Sequence, residues 1–310
     1  MKAVMYHYVH DGIEGLPDLK YLHCEDFVSQ LDYFQEQYGF VEKEAFYDSL
    51  KTGIPAKGVI LTFDDGLKCH YSFVYKELKK RNLWGIFYVS SLAYTQNDLL
   101  DVHKTHLLIG LGKSGEILEA LLSYVSGEHL IQGAVTEFEG YAYMNQNHDE
   151  ASLKIKKIFN YFIDFKFRPA LLDKLLHAFV PHDLLVASGY YLSREEMIEM
   201  HHHGMVFGSH THSHALLSRL DSGEQYREII RPFDLLGEFG VLDEISTFCF
   251  PYGGFKSFNE STIKTLEELD VRYSFNVEGR DITAGDLTKG RLYLPRFDCN
   301  EFPFGQCRVK

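Results

Sequence analysis

Short apolar runs alternate along this chain with longer stretches in which apolar residues return every three or four positions, so strands and helices are predicted in turn. Ala3–Tyr6, Gly58–Phe63 and Trp84–Ser90 are the first three strand candidates; Met205–Ser209, Thr247–Phe250, Tyr273–Val277 and Arg291–Phe297 complete the set. Between them, Glu25–Tyr38 puts Phe27, Leu31 and Phe34 on one helical face, and Tyr71–Arg81, Arg194–His203, Glu224–Phe239 and Glu260–Leu269 read as helices. Strand–helix alternation of this kind specifies a parallel sheet, open or closed into a barrel. The alternation stops between Ser90 and Met205, where Ile117–Val125, Leu153–Phe165 and Ala170–Phe179 all carry helical periodicity. Residues 95–190 are therefore expected to form a mostly helical insertion, a possible lid, with 1–94 and 191–310 making the barrel.

Composition narrows the class. A chain of 310 residues with 45% hydrophobic content can bury a large core, and one barrel of roughly 250 residues accounts for most of it. The net charge of −13, with no basic stripe, argues against nucleic acid or an anionic membrane as partner. Five scattered cysteines without a C-x-x-C point to reduced thiols in a cytosolic compartment. The start, Met1 to His7, lacks the apolar core of a signal peptide, and no run approaches the roughly 18 apolar residues of an integral membrane segment. A soluble, cytoplasmic protein is expected; nothing in the pattern sets an oligomeric state.

In parallel α/β architectures, functional residues collect where strands end. Four such ends carry residues of catalytic type: His7, Asp64-Asp65, His210 with His214, and Pro251-Tyr252. Two adjacent carboxylates cannot both ionise cheaply in one site unless a cation absorbs one charge, which makes Asp65 a ligand and Asp64 a base. His210 and His214 are four residues apart, a spacing that suits two ligands on one helical turn or a compact loop. Two imidazoles and a carboxylate make an open metal centre, and with a neighbouring base they point to metal-assisted hydrolysis. His201-His202-His203 closes a predicted helix, where a solvated face is expected. His103 and His106, at the start of the insertion, share one helical face and read as a substrate rim, a second metal site or a solvated helix start.

Thr62-Phe63-Asp64-Asp65-Gly66 and Gly208-Ser209-His210-Thr211-His212-Ser213-His214 resemble the first two signature motifs of polysaccharide deacetylases, the NodB-homology carbohydrate esterases. Phe250-Pro251-Tyr252-Gly253 resembles the third, and coverage runs from the N-terminus to about Phe297, excepting the insertion. The resemblance implies an α/β fold, a distorted (β/α)7 barrel of the NodB-homology type carrying the helical insertion. It implies one divalent metal, commonly zinc, held by Asp65, His210 and His214; the ligand set also admits cobalt, nickel or iron. Asp64 becomes the general base, the Tyr252 backbone N–H a donor to the oxyanion, and Pro251 and Tyr252 substrate contacts; His103, in the insertion that the resemblance does not cover, joins them only on the reading of a substrate rim.

Two departures qualify the match. Where the family carries an arginine two residues before its Pro, this chain has Cys249; and no histidine follows His214, so the family's C-terminal acid is missing. Tyr6-His7 resembles the permuted branch, the exopolysaccharide poly-N-acetylglucosamine deacetylases, which implies His7 as the acid. Arg296 is the candidate to replace the missing arginine and hold Asp64 ionised by charge pairing. Tyr6, Tyr8, Phe63, Tyr88, Tyr252 and Phe255 flank the motifs, as sugar-stacking rings or as barrel packing. The expected function is removal of an N-acyl group, acetyl or formyl, from an acylamino sugar precursor of a surface polysaccharide, whether free, nucleotide-linked or lipid-linked. The alternatives are a hydrolase of a small non-sugar amide and a non-catalytic carbohydrate-binding relative.

Overall fold

β1 (Lys2–Tyr6), β2 (Val59–Phe63), β3 (Ile86–Val89), β4 (Val206–Ser209), β5 (Thr247–Cys249), β6 (Tyr273–Val277) and β7 (Leu294–Asp298) pair side by side in chain order, all parallel. β7 returns to β1, with Val4 opposite Phe297, and closes a seven-stranded barrel. The computed structural model describes residues 1–134, 149–181, 184 and 189–308. All five residues of β2 are buried, as expected of a parallel strand covered on both faces. That two-sided burial is why these strands appear in the sequence as unbroken apolar runs rather than as alternating ones.

Alternate residues of the strands nevertheless divide between two cores, because successive side chains leave a strand on opposite sides. Val4, Tyr6, Leu61, Phe63, Phe87, Val89 and Phe207 pack with Phe27, Leu31 and Phe34 of the helix Cys24–Gln37. Ala3, Ile60, Ile86, Tyr88, Val206, Cys249, Phe275 and Leu294 form the other cluster. A Cβ on Gly208 would lie 2.6 Å from both Tyr88 Cε1 and Thr247 Cγ2, so only glycine fits there beside the Tyr88 ring. The parity of the second cluster runs on through His7, Asp64, His210 and Arg296, which places the candidate chemistry on one face of the barrel wall.

Element boundaries differ from the pattern in a few places. Arg291–Tyr293 forms a 3-10 turn, so the last strand begins at Leu294. The helix expected over Tyr71–Arg81 opens with a π turn, His70–Tyr75, before the α-helical Lys76–Lys80. The helices Lys43–Thr52, Leu92–Gln96 and Ala284–Lys289 escape the pattern because each is short, with few buried apolar residues.

By internal contacts the chain divides into two units: Met1–Asp11, Tyr21–Gln96 and Ser188–Lys310 form the first, Gly12–Lys20 and Asn97–Ala187 the second. The second unit contains the helices Asp101–Gly110, Ser114–Tyr124, Glu150–Lys157 and Arg168–Phe179, with Leu108, Ile117, Leu121, Ile155, Phe159, Leu172 and Leu175 fully buried. No described helix is long and apolar enough to cross a membrane.

Candidate metal and active site

Strand register brings the site together. Tyr6 lies opposite Phe63, so His7 and Asp64 emerge side by side from β1 and β2; the Asp64 N–H donates to the Tyr6 carbonyl at 2.9 Å. Val89 lies opposite Ser209, so His210 follows at the same level from β4, and its N–H donates to Val89 O at 3.0 Å.

Asp65 Oδ1 stands 3.4 Å from His210 Nε2 and 3.5 Å from His214 Nε2, with all three residues buried. Ligands held at zinc–oxygen and zinc–nitrogen distances in a tetrahedron lie roughly 3.3–3.5 Å apart, so the spacing fits a shared divalent cation. His210 Nδ1 is 2.9 Å from the Cys249 carbonyl oxygen, to which it donates. That bond fixes the tautomer and leaves the Nε2 lone pair directed at the cluster. The residues present therefore fit the metal that the sequence implies, with one carboxylate charge and open positions left over.

The second carboxylate is held apart from the ligands. Arg296 is fully buried and donates to both Asp64 oxygens at 2.8 Å, and to Thr62 Oγ1 at 2.9 Å. Burial alone would raise the Asp64 carboxyl, but the Arg296 charge and its two hydrogen bonds outweigh it and bring the group down to about 2. Cys249 Sγ lies 2.8 Å from Arg296 Nη2. The guanidinium from β7 thus reaches the space beside Cys249, the strand position at which the resemblance leads one to expect an arginine. His7 Nε2 is 4.0 Å from Asp64 Oδ2, and the imidazole keeps 38% of its surface exposed.

The loop that carries the histidines is strained and well anchored. Asp65, Thr211, His214 and Tyr252 all have positive φ, from 58° to 78°, a region that side chains other than glycine rarely occupy. Such residues gather at functional sites because surrounding contacts hold them there. Here Ser90 Oγ donates to the His210 carbonyl, Ser91 Oγ meets His212 Nδ1 at 2.8 Å, and Leu92 N–H donates to His212 O. Glu228 accepts from both the backbone N–H and the hydroxyl of Ser213 at 2.8 Å. None of Ser90, Ser91 and Glu228 stands in a motif, so the sequence offered no signal for them. His210 and His214 are delivered by a compact loop rather than by a helical turn.

The remaining candidates separate by burial. Pro251 is buried; Tyr252 is half-buried with its ring 4.8 Å from that of His214, edge to face. Tyr6, Phe63 and Tyr88 are buried packing, whereas Phe255 is 57% exposed and Tyr8 is half-buried, its hydroxyl 2.7 Å from that of Tyr190. His202 and His203 are exposed, in keeping with a solvated helix end. His103 is the correction: a rim contact or a solvated face needs an exposed imidazole, and His103 is fully buried within the helical unit, its ring 5.9 Å from that of His106.

Residues 143–274 match the family model for polysaccharide deacetylase, a span that takes in His210, His214 and Tyr252 and leaves Asp64 and Asp65 outside. The same fold is found in the Streptococcus pyogenes deacetylase PplD in complex with acetate, at 19% identity over 96% of this chain and 91% of that one, with a TM-score of 0.57. It recurs in IcaB from Ammonifex degensii (17% identity, 96% and 90% covered, TM-score 0.51) and in the BpsB deacetylase domain from Bordetella bronchiseptica (12%, 96% and 94%, TM-score 0.52). No curated protein matches the chain. The family match covers less than half of the chain, and what the solved structures share with it is the barrel fold.

Proposed function

We propose that this protein is a metal-dependent hydrolase that removes an N-acyl group, acetyl or formyl, from an acylamino sugar of a bacterial surface polysaccharide or its precursor. The observation that carries the reading is the convergence of Asp65, His210 and His214 beside a separate carboxylate, Asp64, that Arg296 keeps ionised. Zinc suits the three ligands best, and cobalt, nickel or iron would be accepted. A divalent cation bound there supplies Lewis acidity, activating water and polarising the amide carbonyl.

The chain's own groups account for the proton movements. Asp64 accepts the proton lost by the attacking water, and its clamp by Arg296 keeps the oxygens in place for it. The Tyr252 N–H donates to the oxygen that gains charge as the carbonyl carbon becomes tetrahedral. His7 gives its proton to the sugar nitrogen as the C–N bond breaks, leaving a carboxylate and a free amino sugar. The N-terminal position of this acid is the arrangement of the permuted branch. The five cysteines form no disulfide and suit a reducing compartment, which makes the cytoplasm the proposed location and a free, nucleotide-linked or lipid-linked sugar the proposed substrate form.

The test compares wild type with Asp64→Asn for metal content and for acetate or formate release from a panel of such sugars. Metal near one per chain in both, with release lost by about 100-fold or more in Asp64→Asn, is expected. Release that survives in Asp64→Asn would overturn the assignment of the base.

A further inference from the structure

We infer that His70 is a positioning residue for His7, fixing the backbone from which the imidazole reaches the leaving nitrogen; this rests on the reading of His7 as the acid. His7 is the first residue past β1, where the strand ladder gives out. Three successive carbonyls there are held by three different parts of the chain. Tyr6 O accepts from Asp64 N–H of the neighbouring strand end, and Tyr8 O accepts from Leu22 N–H. Between them His7 O lies 2.9 Å from His70 Nε2, which must donate.

The environment of His70 argues that this bond is its purpose. Its ring is fully buried, at 5.6 Å from Phe63 and 5.8 Å from Phe87, a site in which an aromatic hydrocarbon would pack at no polar cost. Its Nδ1 has no hydrogen-bond partner among the described residues, a loss of about 1–3 kcal/mol for a buried polar atom. It also opens the π turn His70–Tyr75, and such turns recur at functional sites. A buried imidazole with one nitrogen unsatisfied, on an irregular turn, keeps one specific bond, and that bond goes to the carbonyl of His7.

His70→Phe keeps the ring and removes the donor; His70→Gln retains an N–H at a similar reach. Turnover is measured on an N-acetylglucosamine oligosaccharide, whose amine leaving group needs a proton, and on 4-nitrophenyl acetate, whose phenolate does not. His7→Ala and the His7→Ala/His70→Phe double variant are run alongside, with metal content and melting temperature as controls. His70→Phe is expected to lower amide turnover relative to ester turnover by about 10-fold or more, with recovery in His70→Gln. The double variant is expected to be no slower on the amide than His7→Ala, because His70 acts through His7. The His7 imidazole NMR signal, identified by its absence in His7→Ala, should shift in His70→Phe and return in His70→Gln, a readout that needs no turnover. An unmoved His7 signal, equal losses on amide and ester, or multiplicative losses in the double variant would overturn the inference while leaving the acid standing. If His7→Ala has unimpaired amide turnover, the acid reading fails, and the inference with it.

Discussion

Arg296 shows most clearly how a single residue can be important here without standing in a motif. It is fully buried, and among the described residues its carboxylate partner is Asp64. Replacing it by Met would leave Asp64 as a buried charge without its counter-ion, a change that typically costs about 3–5 kcal/mol. Arg296→Met should therefore melt well below wild type and lose turnover, while Asp65, His210 and His214 still bind metal. A variant that loses turnover but keeps its stability would show that Arg296 does not balance the Asp64 charge. The four residues of the motifs were readable from type and spacing, since few other patterns place two carboxylates and two imidazoles at strand ends. Arg296 was a candidate only through the absence of another arginine, because no local pattern distinguishes a clamped arginine from a surface one. His103 was misplaced for a related reason: helical spacing tells which residues share a face but not whether that face meets solvent.

At the scale of elements, the loop from His210 to His214 is the part that has to be held. Its two positive-φ residues, Thr211 and His214, would relax if their surroundings allowed it. Glu228, from the helix Ser222–Phe239, secures the loop through two hydrogen bonds to Ser213, the residue before a proposed ligand. Outer partners of this kind typically account for 10–100-fold in metal affinity. Glu228→Ala should thus weaken zinc binding by about 10-fold or more in competition with a chelator, with turnover restored at saturating zinc. Unchanged affinity would mean that the serine pair and the strand hold the loop alone. Strands and long helices were legible because two-sided burial and amphipathic spacing leave long signals. Short helices, the 3-10 turn at Arg291–Tyr293 and the π turn at His70–Tyr75 were not, since a few residues carry no period.

For the whole molecule, the buried His70 links folding to pH. Burial, partly offset by the His7 carbonyl and the nearby aspartates, lowers its ionisation from the ordinary 6.5 to about 4. Between these values the unfolded chain takes up a proton that the folded chain does not, so this contribution is complete above pH 6.5 and is lost as pH falls toward 4. Urea unfolding at pH 7 and pH 5 should show wild type losing about 2 kcal/mol more than His70→Phe over that interval. Equal losses in the two proteins would mean that the folded state also protonates His70. Metal is expected to act in the same equilibrium from the other side: adding zinc to metal-free protein should raise the melting temperature, and a chelator should reverse it.

The sequence by itself determined the alternation that folds into a parallel barrel, the strand ends that carry the candidate site, and the identity of Asp64, Asp65, His210 and His214 as the residues to watch. These are properties of local spacing and residue type, and they survive in one dimension. Only the tertiary structure decided that β7 closes on β1 and so brings Arg296 to Asp64 across 232 positions of chain. It alone decided that the Cys249 carbonyl sets the tautomer of His210, that Glu228 anchors the loop from His210 to His214, and that His70 reaches the backbone of His7. The physical reason is the same in each case. Buried polar groups must find partners, and which partner lies within 3 Å is settled by strand register and barrel closure, which no local pattern encodes.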